Sequence, residues 1–117
     1  MEVKPEVNIA DLFEIHSNLM AILLFTNTFC NENNLPFVIT SLKTDKVSGR
    51  VSSSHRDGRA ADVSLKYWPE YKIIEFETKV NGIFYDQAAI SKSDNRKRAC
   101  VIHDSGKGRH IHLQVEP

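Results

Sequence analysis

The sequence is short of cysteine, carries no surplus of charge and has no long apolar run, and each shortage excludes something. Cys30 and Cys100 are the two cysteines among 117 residues. They stand far apart and outside any CxxC spacing, so they provide neither a disulfide framework nor a thiolate metal knuckle. Two buried free thiols are the expectation. Lysine plus arginine number 15, and so do aspartate plus glutamate, which gives zero formal net charge. That balance lacks the electrostatic footprint of a nucleic-acid binder or of a protein that coats anionic membranes. The longest apolar run, residues 19–25 (LMAILLF), is far too short to insert across a bilayer. The opening MEVKPEVNIADL has no basic-then-apolar leader pattern, so synthesis in the cytoplasm is expected, with delivery by other proteins if the target lies beyond the membrane.

Repeats, low-complexity tracts and linkers rich in proline or glycine are also missing, and the length suits one domain over residues 1–117. Residues 1–7 read as a loose lead-in. From Asn8, a capping residue, Ile9, Leu12, Phe13, His16, Leu19, Met20 and Leu23 recur at helical spacing, and the helix should stop within residues 31–34. Residues 37–42 (FVITSL) and 59–66 read as strands, with a polar loop at 44–54 between them. Pro69 opens a second helix reaching about Asn81, its buried side marked by Tyr71, Ile74 and Lys79 or Val80, with Gly82 at its end. Residues 83–90 are ambiguous and 91–98 read as an exposed turn. Residues 99–103 and 110–116 read as two strands joined by DSGKGR, a hairpin with two glycines. The outline is α+β, a small antiparallel sheet with two main helices.

The chemistry concentrates in two places. In HIH, residues 110–112, strand alternation points His110 and His112 to one face and turns Ile111 into the core. In SSHRDGRAAD, residues 53–62, His55 and Asp62 flank Gly58, where a turn can aim both side chains at one point, and Ala60 and Ala61 leave room for close packing. Imidazole nitrogen and carboxylate oxygen suit zinc. Two histidines, an aspartate and a water make the open four-coordinate arrangement of a catalytic zinc, which lowers the pKa of that water to about 7.

The segment HRDGRAAD, residues 55–62, with Ser53 before it, resembles the SxHxxGxAxD motif of the D-alanyl-D-alanine carboxypeptidase family of zinc peptidases. The ending RHIHLQV, residues 109–115, resembles the closing HxH strand of the same superfamily and of the hedgehog signalling domain, which shares the fold. FVITS, residues 37–41, resembles the strand that precedes the metal loop. Carried over residue by residue, the resemblance implies a hedgehog/DD-peptidase-like fold with His55, Asp62 and His112 as zinc ligands. His110 becomes the histidine that steadies the developing oxyanion. It implies a phage-type or bacterial metallopeptidase acting on peptidoglycan stem peptides that contain D-amino acids, with no nucleic-acid partner.

Two departures qualify that reading. Relatives often carry an acid three positions before the last ligand, where this chain has Arg109; Asp104 is then the candidate general base, or else a turn-opening aspartate. His103 is a further candidate for the base, but if Asp104 faces the pocket on an extended segment, His103 faces away. Relatives also place an arginine after the first strand; here Ser53, Arg50 and Lys43 are the candidates for substrate binding, although the two basic residues miss the matching position and read more readily as solvated surface charges. Arg59 reads as packing or an ion pair, the run Arg96–Lys97–Arg98 as a solvated turn, and Tyr67, Trp68 and Tyr71 as core or as a groove wall. Two further readings stay open: a zinc-binding interaction domain without catalysis, and a structural site in which His110 also ligates zinc.

Overall fold

The computed structural model describes residues 1–42, 57–92, 94–104, 106 and 108–117. These form a five-stranded sheet, β1 (Glu2–Val3), β2 (Val38–Ser41), β3 (Ala60–Ser64), β4 (Cys100–Asp104) and β5 (Arg109–Gln114), in the order β1-β2-β3-β5-β4. Two α-helices accompany it among the described residues, α1 (Ser17–Asn33) and α2 (Glu70–Ile83). The architecture is therefore α+β, and the sheet is mixed. β2, β3, β5 and β4 pair antiparallel, but β1 pairs parallel with β2, through Glu2 with Val38 and Val3 with Ile39. This corrects both the all-antiparallel expectation and the loose lead-in. Parallel neighbours need a long crossover, and α1 supplies it.

The first helix begins later than its periodicity suggests. The Asn8 side chain does cap a turn, accepting from the Ala10 N–H at 3.1 Å, but that turn is a 3-10 helix ending at Phe13. α1 starts afresh after His16, whose Nδ1 accepts from the Asn18 N–H at 3.1 Å. The break has a tertiary cause: the His16 N–H donates to the Gly58 carbonyl at 2.8 Å, which draws the chain away from the helical path. Ile9 and Phe13, placed in the core by spacing alone, are exposed. Beyond the break the pattern holds, with Leu19, Ile22, Leu23, Thr26, Phe29 and Cys30 buried, and α1 ends at Asn34 in the left-handed conformation.

α2 buries Ile73, Phe76 and Val80, and leaves Tyr71 and Ile74 exposed, so its inner face is rotated from the one expected. It runs through Gly82 to Ile83. Phe76 packs among Phe25, Phe29 and Trp68, tilted against the first two and edge-on to the third, with ring centroids 5.2–6.2 Å apart. The indole N–H of Trp68 donates to the Pro36 carbonyl at 2.9 Å, so Trp68 is core, whereas Tyr67 is exposed. Both helices pack on the sheet face made by Ile39, Ala61, Val63, Cys100, Ile111 and Leu113. Cys30 and Cys100 are buried free thiols, and burial pushes Cys30 up to about 12.

Gly58 is where two chain segments meet. Its φ is +71°, and a Cβ built there would lie 2.9 Å from the Glu14 carbonyl oxygen and 3.2 Å from the Ile15 Cα. Both obstacles are backbone, which cannot rotate aside. Gly58→Ala is expected to cost about 2 kcal/mol or more, of which the left-handed backbone alone accounts for about 1 kcal/mol. Gly106, with φ +89° and open space around its Cα, isolates the backbone part. Urea unfolding of the two alanine variants should place Gly58→Ala clearly below Gly106→Ala; equal midpoints would show that the close approach to residues 14 and 15 carries no weight.

Candidate metal and catalytic site

The sheet face away from the helices carries the polar residues. β3 and β5 pair with Asp62 opposite His112 and Ser64 opposite His110. Residues directly opposite share a face, so Asp62, Ser64, His110 and His112 project together, while Ala61, Val63, Ile111 and Leu113 alternate into the core. Ser41, at the end of β2, is the neighbour of Asp62 on its other side. The side chains of Asp62, His110 and His112 are each about one-fifth exposed, open to solvent yet held by a packed sheet.

His112 Nδ1 lies 2.9 Å from Asp62 Oδ1, and His110 Nε2 lies 3.9 Å from the same oxygen. In a zinc tetrahedron with bonds of about 2.0 Å, ligand atoms stand about 3.3 Å apart. The Asp62–His112 separation of 2.9 Å falls short of that spacing by about 0.4 Å, and the His110 separation of 3.9 Å exceeds it by about 0.6 Å. The donor set, one carboxylate oxygen and one imidazole nitrogen, is of the type zinc takes. Asp62 and His112 thus fit as a ligand pair, with His110 beside them. Among the described residues no cluster of three or more His, Cys, Asp or Glu side chains is arranged to hold a metal ion. The expected third ligand, His55, lies outside the described residues, as do Ser53, Arg50 and Lys43.

The expectation for Asp104 and His103 is reversed. β4 pairs His103 with His110 and Asp104 with Arg109. His103 therefore shares the face of His110, and their rings meet edge-on with centroids 5.2 Å apart. Asp104 points to the opposite face, and its Oδ1 accepts the Gly106 N–H at 2.9 Å, the work of an aspartate that opens a turn. Arg109 is also turned from the site. Its guanidinium binds both carboxylate oxygens of Glu70, at 2.9 and 3.2 Å, and that contact holds the Glu70 carboxyl below the usual range.

Gln114 and Ser64, both on this face, have no counterpart in the sequence expectations. Gln114 follows His110 and His112 at the same two-residue period, and its Oε1 lies 3.1 Å from His112 Nε2. Period two could have found it, but an amide is not a usual zinc ligand. Arg59 is a packing residue, donating to the Val115 carbonyl at 3.1 Å and pairing with Asp57 at 3.1 Å. Arg98 and Lys97 are engaged by Asp94 and Glu116, as a solvated turn implies.

Comparison with protein-family models, with curated proteins and with solved structures finds no match to this chain.

Proposed function

We propose that this protein is a zinc-dependent hydrolase of peptide bonds, with bacterial cell-wall peptides containing D-amino acids as its substrate class. The observation that carries the reading is the meeting of Asp62 Oδ1 and His112 Nδ1 at 2.9 Å on a rigid sheet, with His110 at 3.9 Å and His103 next to it. Zinc would be held by Asp62, His112 and, from the sequence motif, His55. When bound, zinc supplies Lewis acidity to a water and to a peptide carbonyl. Substrate class rests on the likeness of residues 53–62 and 109–115 to the zinc D-alanyl-D-alanine carboxypeptidases.

The chain's own residues do the remaining work. His110 donates a hydrogen bond to the oxygen on which negative charge develops, from a ring already fixed by the sheet. His103, edge-on to His110, is placed to carry a proton in place of Asp104, which faces away. A second reading, a zinc-binding interaction domain without catalysis, is favoured by Asp104 facing away and by Arg109 being tied to Glu70.

Purified protein should carry about one zinc per chain. Incubated with purified peptidoglycan, the zinc-loaded protein should release fragments with new termini, detected by mass analysis, and a chelator should stop the release. Zinc binding with peptidoglycan left intact, beside an active peptidase as control, would select the interaction domain.

A further inference from the structure

We propose that Gln114 is a positioning residue that sets which nitrogen of His112 faces the metal; this rests on the zinc reading above. Gln114 is buried, with 8 % of its surface exposed. Its Nε2 donates to the Arg98 carbonyl at 2.9 Å. A carbonyl only accepts, so this contact fixes which end of the amide faces which neighbour. The other end, Oε1, faces His112 Nε2 at 3.1 Å. An amide oxygen also only accepts, so His112 Nε2 must carry the hydrogen. A neutral imidazole keeps its lone pair on the other nitrogen. That nitrogen, Nδ1, is the one 2.9 Å from Asp62 Oδ1.

A lone-pair nitrogen and a carboxylate oxygen cannot bond each other directly. What joins them at that distance is either a second ring proton, which makes His112 an imidazolium paired with Asp62, or a divalent cation that both ligate. The zinc reading takes the cation. Metal-ligating imidazoles are oriented by the partner of their second nitrogen. Here that partner is a side chain two residues along the same strand. Its anchor is itself held: the Arg98 N–H donates to the Ala89 carbonyl at 2.9 Å, and the Gln114 N–H donates to the Ala99 carbonyl at 2.9 Å. The segment before β4 therefore orients the site without supplying a ligand.

The test is a zinc titration in competition with a chelator of known affinity, on the wild-type chain, Gln114→Met and Gln114→Glu, with circular dichroism to verify folding. Methionine keeps the length and removes both hydrogen bonds. Zinc affinity should fall about 10–100-fold in Gln114→Met. Gln114→Glu, which still offers an oxygen to His112 Nε2, should stay closer to wild type. Nitrogen NMR of the His112 ring in the zinc-loaded wild type should show Nε2 protonated and Nδ1 ligated, and the slowly exchanging Nε2 proton should disappear in Gln114→Met. Equal zinc affinity in folded Gln114→Met overturns the proposal, as does a proton on Nδ1 in the wild type, which also decides the matter should Gln114→Met fail to fold. A wild-type chain that takes up no zinc overturns the zinc reading itself, a result distinct from zinc bound with Gln114 irrelevant.

Discussion

Exchanging Asp62 for asparagine is expected to lower zinc affinity on the order of a hundredfold to a thousandfold while leaving the fold intact. Binding of zinc by four protein ligands releases about 10–16 kcal/mol, so one ligand accounts for about 2.5–4 kcal/mol. Asparagine has the same shape, and its amide can still meet His112 Nδ1, so the packing of β3 between β2 and β5 is not disturbed. What disappears is the negative charge that a divalent cation needs. The distinction matters because Asp62 and His112 would also make a sound structural hydrogen bond. In that case Asp62→Asn would change zinc binding little.

Thermal unfolding gives a second measure of the same change. A ligand present at a hundred times its Kd stabilises the folded state by about 2.7 kcal/mol, which for a domain of this size raises Tm by roughly 10 °C. The wild-type chain should show that rise when zinc is added at a fixed excess, and Asp62→Asn should show almost none. A rise of equal size in both would mean that zinc binds elsewhere.

What the sequence discloses about this site follows from the range over which each signal acts. The shared face of His110 and His112 was legible because strand alternation is local: residue 111 must go where 110 and 112 do not. The pairing of Asp62 with His112 spans 50 residues, and only the family resemblance of the two motifs suggested it. The faces of His103 and Asp104 were not legible, since they depend on where the hairpin turns. Pairing His103 with His110 rather than one residue along exchanges the two. The same holds for Arg109, whose partner Glu70 is 39 residues away on another element.

The helices show the same division. The pattern of α1 continues smoothly upstream through His16, Phe13 and Ile9, so periodicity alone has no reason to stop. The stop comes from Gly58, distant in sequence, whose carbonyl takes the His16 N–H. β1 has two residues and no period to read, and only its pairing with β2 makes it a strand. For α2, Pro69 and Gly82 mark the position along the chain, but its inner face is rotated from the one that spacing suggests. Its aromatic and aliphatic residues surround the helix, and contact with Phe25, Phe29 and Trp68 selects Phe76 over Tyr71.

Replacing His110 with alanine should lower kcat for peptide hydrolysis about 10²–10³-fold, the usual loss for one oxyanion donor, while zinc stays bound. The geometry sets this apart from the loss at Asp62. His110 Nε2 is 3.9 Å from Asp62 Oδ1, a full ångström farther than His112 Nδ1, so it stands beside the ligand pair rather than within it. A group in that position leaves the ground state nearly unaffected and acts when charge builds on the substrate oxygen, so KM should change little and kcat should carry the effect. Three outcomes separate the readings. Zinc retained with kcat reduced supports catalysis with His110 as the donor. Zinc lost along with activity makes His110 a fourth ligand, which closes the position a water needs and turns the site into a structural one. Zinc retained with activity unchanged removes His110 from the chemistry and leaves His103, its edge-on neighbour, as the other histidine beside the ligand pair among the described residues.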